Sequence, residues 1–165
     1  GQIIRQLSDC EAAIGRLYGR YGEEFPGMRE FWLSLADQEK AHASLLLGLE
    51  AALPQAQLLF NLDRFTTSRI AATLRYVEGR MSCAESRDVP LAEALSVAVN
   101  LENTLIEAHF YDTVKCDAPE FRYVAGRLAA DTHRHAAELN RMMLSPGKAC
   151  MRLSAQRACF PEWNR

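Results

Sequence analysis

Glu39 and His42 stand three residues apart in the segment MREFWLSLADQEKAHASLLLGLEAAL, on the stripe Met28, Phe31, Leu35, Leu46, Leu49, Leu53. Residues spaced three or four apart share one face of a helix, so this stripe would carry a carboxylate and an imidazole into a core. An unpaired charge is costly to bury, so partners are required. Similar interruptions recur. Glu11 breaks the stripe Ile4, Leu7, Ile14, Tyr18; Glu102 breaks Leu91, Leu95, Ala98, Leu105; Thr132 and His135 break Phe121, Val124, Leu128, Leu139, Met142. Carboxylates and imidazoles that converge from four helices make a ligand set for a pair of divalent metals. The carboxylates neutralise and bridge, and the histidines cap each ion. The candidate ligands are Glu11, Glu39, His42, Glu102 and His135.

The elements that must hold them follow from the same periodicity. The pattern predicts helices over about Ile3–Tyr21, Met28–Leu53 and Leu91–Val114, a fourth that Asp117-Ala118-Pro119 starts and that runs to about Leu144, and a shorter helix over about Thr67–Glu85. Phe25-Pro26-Gly27, the turn before Pro90 and Ser145-Pro146-Gly147 supply the breaks. The first and second long helices, and the third and fourth, are expected to be joined by short links. Pro54 to about Arg64 is too long for a tight hairpin. The expected architecture is all-α: a four-helix bundle over residues 1–144 with a crossover between the second and third long helices, and a tail, 145–165, packed on the bundle or on a neighbour.

The two halves also repeat. Glu11 precedes Glu39 by 28 residues and Glu102 precedes Thr132 by 30, and LADQEKAHASLL aligns with LAADTHRHAAEL. With the span from Glu11 to Tyr18 and the run Ala94, Leu95, Ala98, Glu102, these blocks resemble the ferritin-like superfamily, and within it the rubrerythrin-like proteins, over about residues 3–143. Their pattern is a Glu on each odd helix and Glu-x-x-His on each even one. The resemblance implies iron as the metal, and peroxide reduction, oxygen activation or iron handling as the activity. It also implies an external electron donor if the centre is an oxidoreductase, and a homodimer.

The departures are specific. Thr132 stands where the family has its fourth Glu, so two divalent ions would face three carboxylates and a surplus positive charge. Asp131 is adjacent but ~100° round the helix, an awkward substitute. His109 stands where the first repeat has Tyr18, as an extra ligand or as a donor to a bound group. The hydroxyl of Tyr18 is expected on a ligand carboxylate and that of Thr132 on its own helix backbone. The five cysteines (Cys10, Cys83, Cys116, Cys150, Cys159) form no C-x-x-C, so no rubredoxin-type iron site has ligands here. Net charge is −2, no case for nucleic acid, and no apolar run approaches the ~18–20 residues that cross a bilayer. A reduced, cytoplasmic chain is the expectation. Two functional readings stay open: a metal centre, or a non-catalytic helical scaffold whose site is degenerate and metal-free.

Overall fold

The computed structural model describes residues 2–52, 59–60, 67–107, 114–115 and 118–144. Over these residues the protein is all-α, with five helices: α1 (Gln2–Glu24), α2 (Arg29–Ala52), α3 (Thr67–Ser86), α4 (Leu91–Glu107) and α5 (Pro119–Leu144). No helix among the described residues is long and apolar enough to cross a membrane.

Backbone chemistry sets the breaks. The Phe25 amide donates to the Tyr21 carbonyl at 2.9 Å and closes α1, and Pro26 then opens a single 3-10 turn, Pro26–Met28. Pro90 sits just before α4, where its carbonyl accepts from the Glu93 and Ala94 amides, and Pro119 is the first residue of α5. These turns fall where the sequence puts its breakers. The end of α4 differs from expectation. Val114 was expected to close that helix, but Val114 and Lys115 form a two-residue strand, β2, antiparallel to β1 (Leu59–Phe60). A β-branched residue fits an extended, pleated backbone, and the chain between α2 and α3 supplies its partner. The expected tail, 145–165, lies outside the described residues, as do His109, Cys116, Cys150 and Cys159.

Helix α1 packs along α2 and against α3, α4 packs on α5, and α5 also meets α2. The α1–α2 pair is antiparallel: Arg5 bonds Glu50, Ser8 donates to the Ala43 carbonyl, and the Tyr18 and Trp32 rings meet at 5.7 Å. Leu7, Ile14, Leu17, Leu35, Leu95 and Leu128 fill the space between the helices, fully buried. Burying each such side chain stabilises the fold by about 1.5–3 kcal/mol. Gly15 marks a close approach of α1 to α2. A Cβ there would lie 3.1 Å from the Ala36 carbonyl oxygen and 3.3 Å from Glu39 Cβ. That missing side chain lets α1 draw close beside Glu39.

Candidate metal centre

All five candidate ligands lie in the core, and each is at most 1% exposed. Helix α1 brings Glu11, α2 brings Glu39 and His42, α4 brings Glu102 and α5 brings His135. Their ligand atoms form two trios, Glu11–Glu39–His42 and Glu39–Glu102–His135, each with its atoms within 4.8 Å of one another. Glu39 belongs to both. Its Oε2 lies 3.1 Å from His42 Nδ1, and its Oε1 lies 2.7 Å from His135 Nδ1. Glu11 Oε2 lies 3.9 Å from His42 Nδ1, and Glu102 Oε2 lies 3.8 Å from His135 Nδ1. The two imidazoles stack across the α2–α5 contact, 5.7 Å apart at 21°. The sequence-predicted set is therefore assembled whole, with one residue shared between two adjoining positions.

The outer face of each imidazole is held by the opposite hairpin. His42 Nε2 lies 3.2 Å from Asp131 Oδ2, and His135 Nε2 lies 3.2 Å from Gln38 Oε1. Arg134 joins these two partners: Nη1 lies 2.6 Å from Asp131 Oδ1, and Nη2 donates to Gln38 Oε1 at 2.7 Å. The orientation of the Gln38 amide follows, because a guanidinium only donates and must meet an oxygen. The other end agrees, since Gln38 Nε2 donates to the Ser34 carbonyl at 3.2 Å. Both outer partners are thus acceptors, and both imidazoles carry a proton on Nε2. The Nδ1 atoms then face the carboxylates, and something positive must lie between them. A proton on Nδ1 fills that place, and so does a metal ion. At His135 the contact is close but poorly directed: His135 Nδ1, Glu39 Oε1 and Glu102 Oε2 are each buried without a hydrogen-bond partner.

The electrostatics match a core that retains protons. Burial pushes Glu39 up to about 8, the charge of Glu102 adds to this, and the facing His135 and His42 imidazoles oppose it. Burial pulls the imidazoles down, but the facing carboxylates outweigh it. Glu11 and Glu39 bring His42 up to about 10, and Glu102 and Glu39 bring His135 up to about 9. Tyr18 donates to Glu102 Oε1 at 2.8 Å, as expected, and burial beside that carboxylate raises its phenol well above the usual range. Cys10 is a buried free thiol, raised by desolvation and then by the charges of Glu11 and Glu39.

Thr132 is buried on the α5 face that carries His135, and its Oγ1 donates to the Leu128 carbonyl at 2.9 Å. Asp131 does not take the place of the missing Glu. It stands outside both trios and holds His42 from behind, with its own pKa lowered: burial raises it, and hydrogen bonds from His42 and Arg134 outweigh that. His133 is exposed. Sequence reasoning missed Gln38 and Arg134 altogether. Gln38 and Asp131 occupy equivalent places in the two hairpins, one residue before Glu39 and Thr132, and that alignment is the signal that could have found the pair. No family model, curated protein or solved structure matches the chain.

Proposed function

We propose that this chain is a ferritin-like, rubrerythrin-like metal-binding protein, a crossover four-helix bundle with a dinuclear-type carboxylate–histidine centre. The observation that carries the reading is the convergence of imidazole Nδ1 atoms and carboxylate oxygens in two trios that share Glu39. Outer acceptors fix the proton of each ring on the far nitrogen. This is the arrangement in which a ligating histidine donates its other N–H to a second group. The donor set fits a divalent first-row metal: imidazole suits iron, zinc and copper, and carboxylate suits manganese and magnesium. We take iron as the metal on the strength of the resemblance. Glu11 with His42 and Glu102 with His135 would hold the two positions, and Glu39 would serve both. Bound iron would supply a Lewis acid and one-electron redox chemistry. The protein's own part is to keep the site dry, to orient the imidazoles through Gln38 and Asp131, and to hold a proton at Tyr18 Oη against Glu102. With no C-x-x-C in the chain, electrons for an oxidoreductase would come from an external donor.

Thr132 favours a second reading, a helical scaffold with a degenerate, metal-free site, because a neutral side chain in the place of the fourth Glu leaves three carboxylates for two ions. Metal content decides between them. Wild type and Glu39→Ala are loaded anaerobically with Fe(II), desalted and measured by mass spectrometry. Iron retained by the wild type and lost from the variant supports the centre, since Glu39 serves both positions. A folded wild type that retains none rejects it in favour of the scaffold.

A further inference from the structure

The two positions of the centre are built from unequal parts. Behind His42 stands a carboxylate, Asp131 Oδ2, at 3.2 Å. Behind His135 stands a neutral amide oxygen, Gln38 Oε1, also at 3.2 Å, already accepting from the Arg134 guanidinium at 2.7 Å. Arg134 bonds both acceptors, Asp131 Oδ1 at 2.6 Å as well as Gln38 Oε1, so the difference that remains between them is charge. An anionic acceptor on the far nitrogen makes an imidazole a stronger donor to a metal than a neutral one does. Glu39 contributes one oxygen to each imidazole, so it does not offset the imbalance. The residue that would have bridged from α5 is Thr132, bonded back to Leu128, so the inequality is not averaged by a second shared carboxylate.

We infer that the centre fills in order: the Glu11–Glu39–His42 position holds its ion tightly, and the Glu39–Glu102–His135 position is the weak, exchangeable one. Asp131 and Gln38 are the positioning residues that set the difference. The inference rests on the metal-binding reading above and deepens it. It makes the second position the place where an ion is delivered or lost, while the first stays occupied.

The test is calorimetric titration of the metal-free protein with cobalt(II), an air-stable divalent probe, followed in parallel by its visible absorption. The wild type is expected to bind in two resolved steps. Asp131→Asn keeps the shape and removes the charge, and should weaken the tight step by about 10–100-fold while leaving the weak one in place. Gln38→Glu adds the charge on the other side and should strengthen the weak step until the two converge. His42→Ala should abolish the tight step, and His135→Ala the weak one, each with its own change in the cobalt spectrum. Two steps of equal affinity in the wild type would overturn the ordering and leave the metal reading intact. So would a Gln38→Glu protein whose weak step is unmoved. A single step supports the ordering if His42→Ala removes it and overturns the ordering if His135→Ala does. No binding by a folded wild type sinks both the ordering and the metal reading. Should Asp131→Asn fail to fold, Gln38→Glu still decides, because it removes no contact from Asp131.

Discussion

Raising the pH should weaken the metal-free protein and strengthen the hold on metal, and the two effects have opposite signs for one reason. Glu39 is raised from 4.5 to about 8, His42 from 6.5 to about 10 and His135 from 6.5 to about 9. In each case the folded state keeps a proton that the unfolded chain releases, so stability is full below the unfolded value and is lost as pH rises through the folded one. The window is about pH 4.5–8 for Glu39, and 6.5 to 9 or 10 for the imidazoles. The groups around them, Glu11, Glu102 and Asp131, are carboxylates, and Tyr18 and Cys10 stay protonated throughout. Each proton lost leaves more negative charge to retain the next, so a single net proton is the smallest effect. One proton is worth about 1.4 kcal/mol per pH unit. From pH 6.5 to 8 the loss is then about 2 kcal/mol or more, a fall in Tm of about 4–8 °C for a chain of this size. A metal ion takes the place of those protons, so its affinity rises over the same range and its stabilisation grows with it. The assay is thermal unfolding by circular dichroism at pH 6.5, 7.2 and 8, with chelator and with Fe(II) under anaerobic conditions. A chelated Tm that is flat or rising would refute the proton reasoning. A metal-induced gain that shrinks as pH rises would refute the exchange of protons for metal.

Two substitutions probe the same core from either side. Tyr18→Phe removes the phenol that donates to Glu102 Oε1 at 2.8 Å and leaves that oxygen buried without its donor. It should cost about 1–3 kcal/mol in urea unfolding of the metal-free protein, and an unchanged midpoint would mean that Tyr18 only packs. Thr132→Glu restores a fourth carboxylate in a fully buried place. Without metal the added charge should cost about 3–5 kcal/mol. With metal it should raise both Tm and iron content, and a variant less stable than wild type in both states would show that the site does not use the added charge.

The parts of this site that the sequence discloses are those that break a pattern. Glu11, Glu39, His42, Glu102 and His135 each interrupt an apolar stripe of period 3.6, and a stripe that faces the core must carry its interruptions inward. Their inward placement follows from that rule, and each is at most 1% exposed. The strand at Val114 was not legible, because its backbone pairs with Phe60, a partner more than fifty residues away. The outer partners were hidden for a different reason. Gln38, Asp131 and Arg134 lie off the stripes, where polar residues are ordinary and read as solvent-facing. On an isolated helix they would be. On the antiparallel α2–α5 pair, a residue one step round from the stripe reaches the imidazole of the neighbouring helix instead, so the role is set by the contact between helices.

That placement bears on the missing carboxylate. An acidic residue beside Thr132 invites the idea that it swings in to restore the fourth charge. The structure turns Asp131 outward, between His42 Nε2 and Arg134, and ties the Thr132 hydroxyl to Leu128. Asp131 cannot serve the interior without breaking bonds already made, and the Thr132 hydroxyl adds no charge to it. The described residues therefore offer three carboxylates to the centre, enough to exceed the charge of one divalent ion and short of two. With its protons displaced, the cluster would offer net negative charge to a first ion, and a second would meet a cluster already close to neutral, whichever position is filled first. On that reading charge alone would make the second ion weaker, and Asp131 behind His42 and Gln38 behind His135 would decide which position that is.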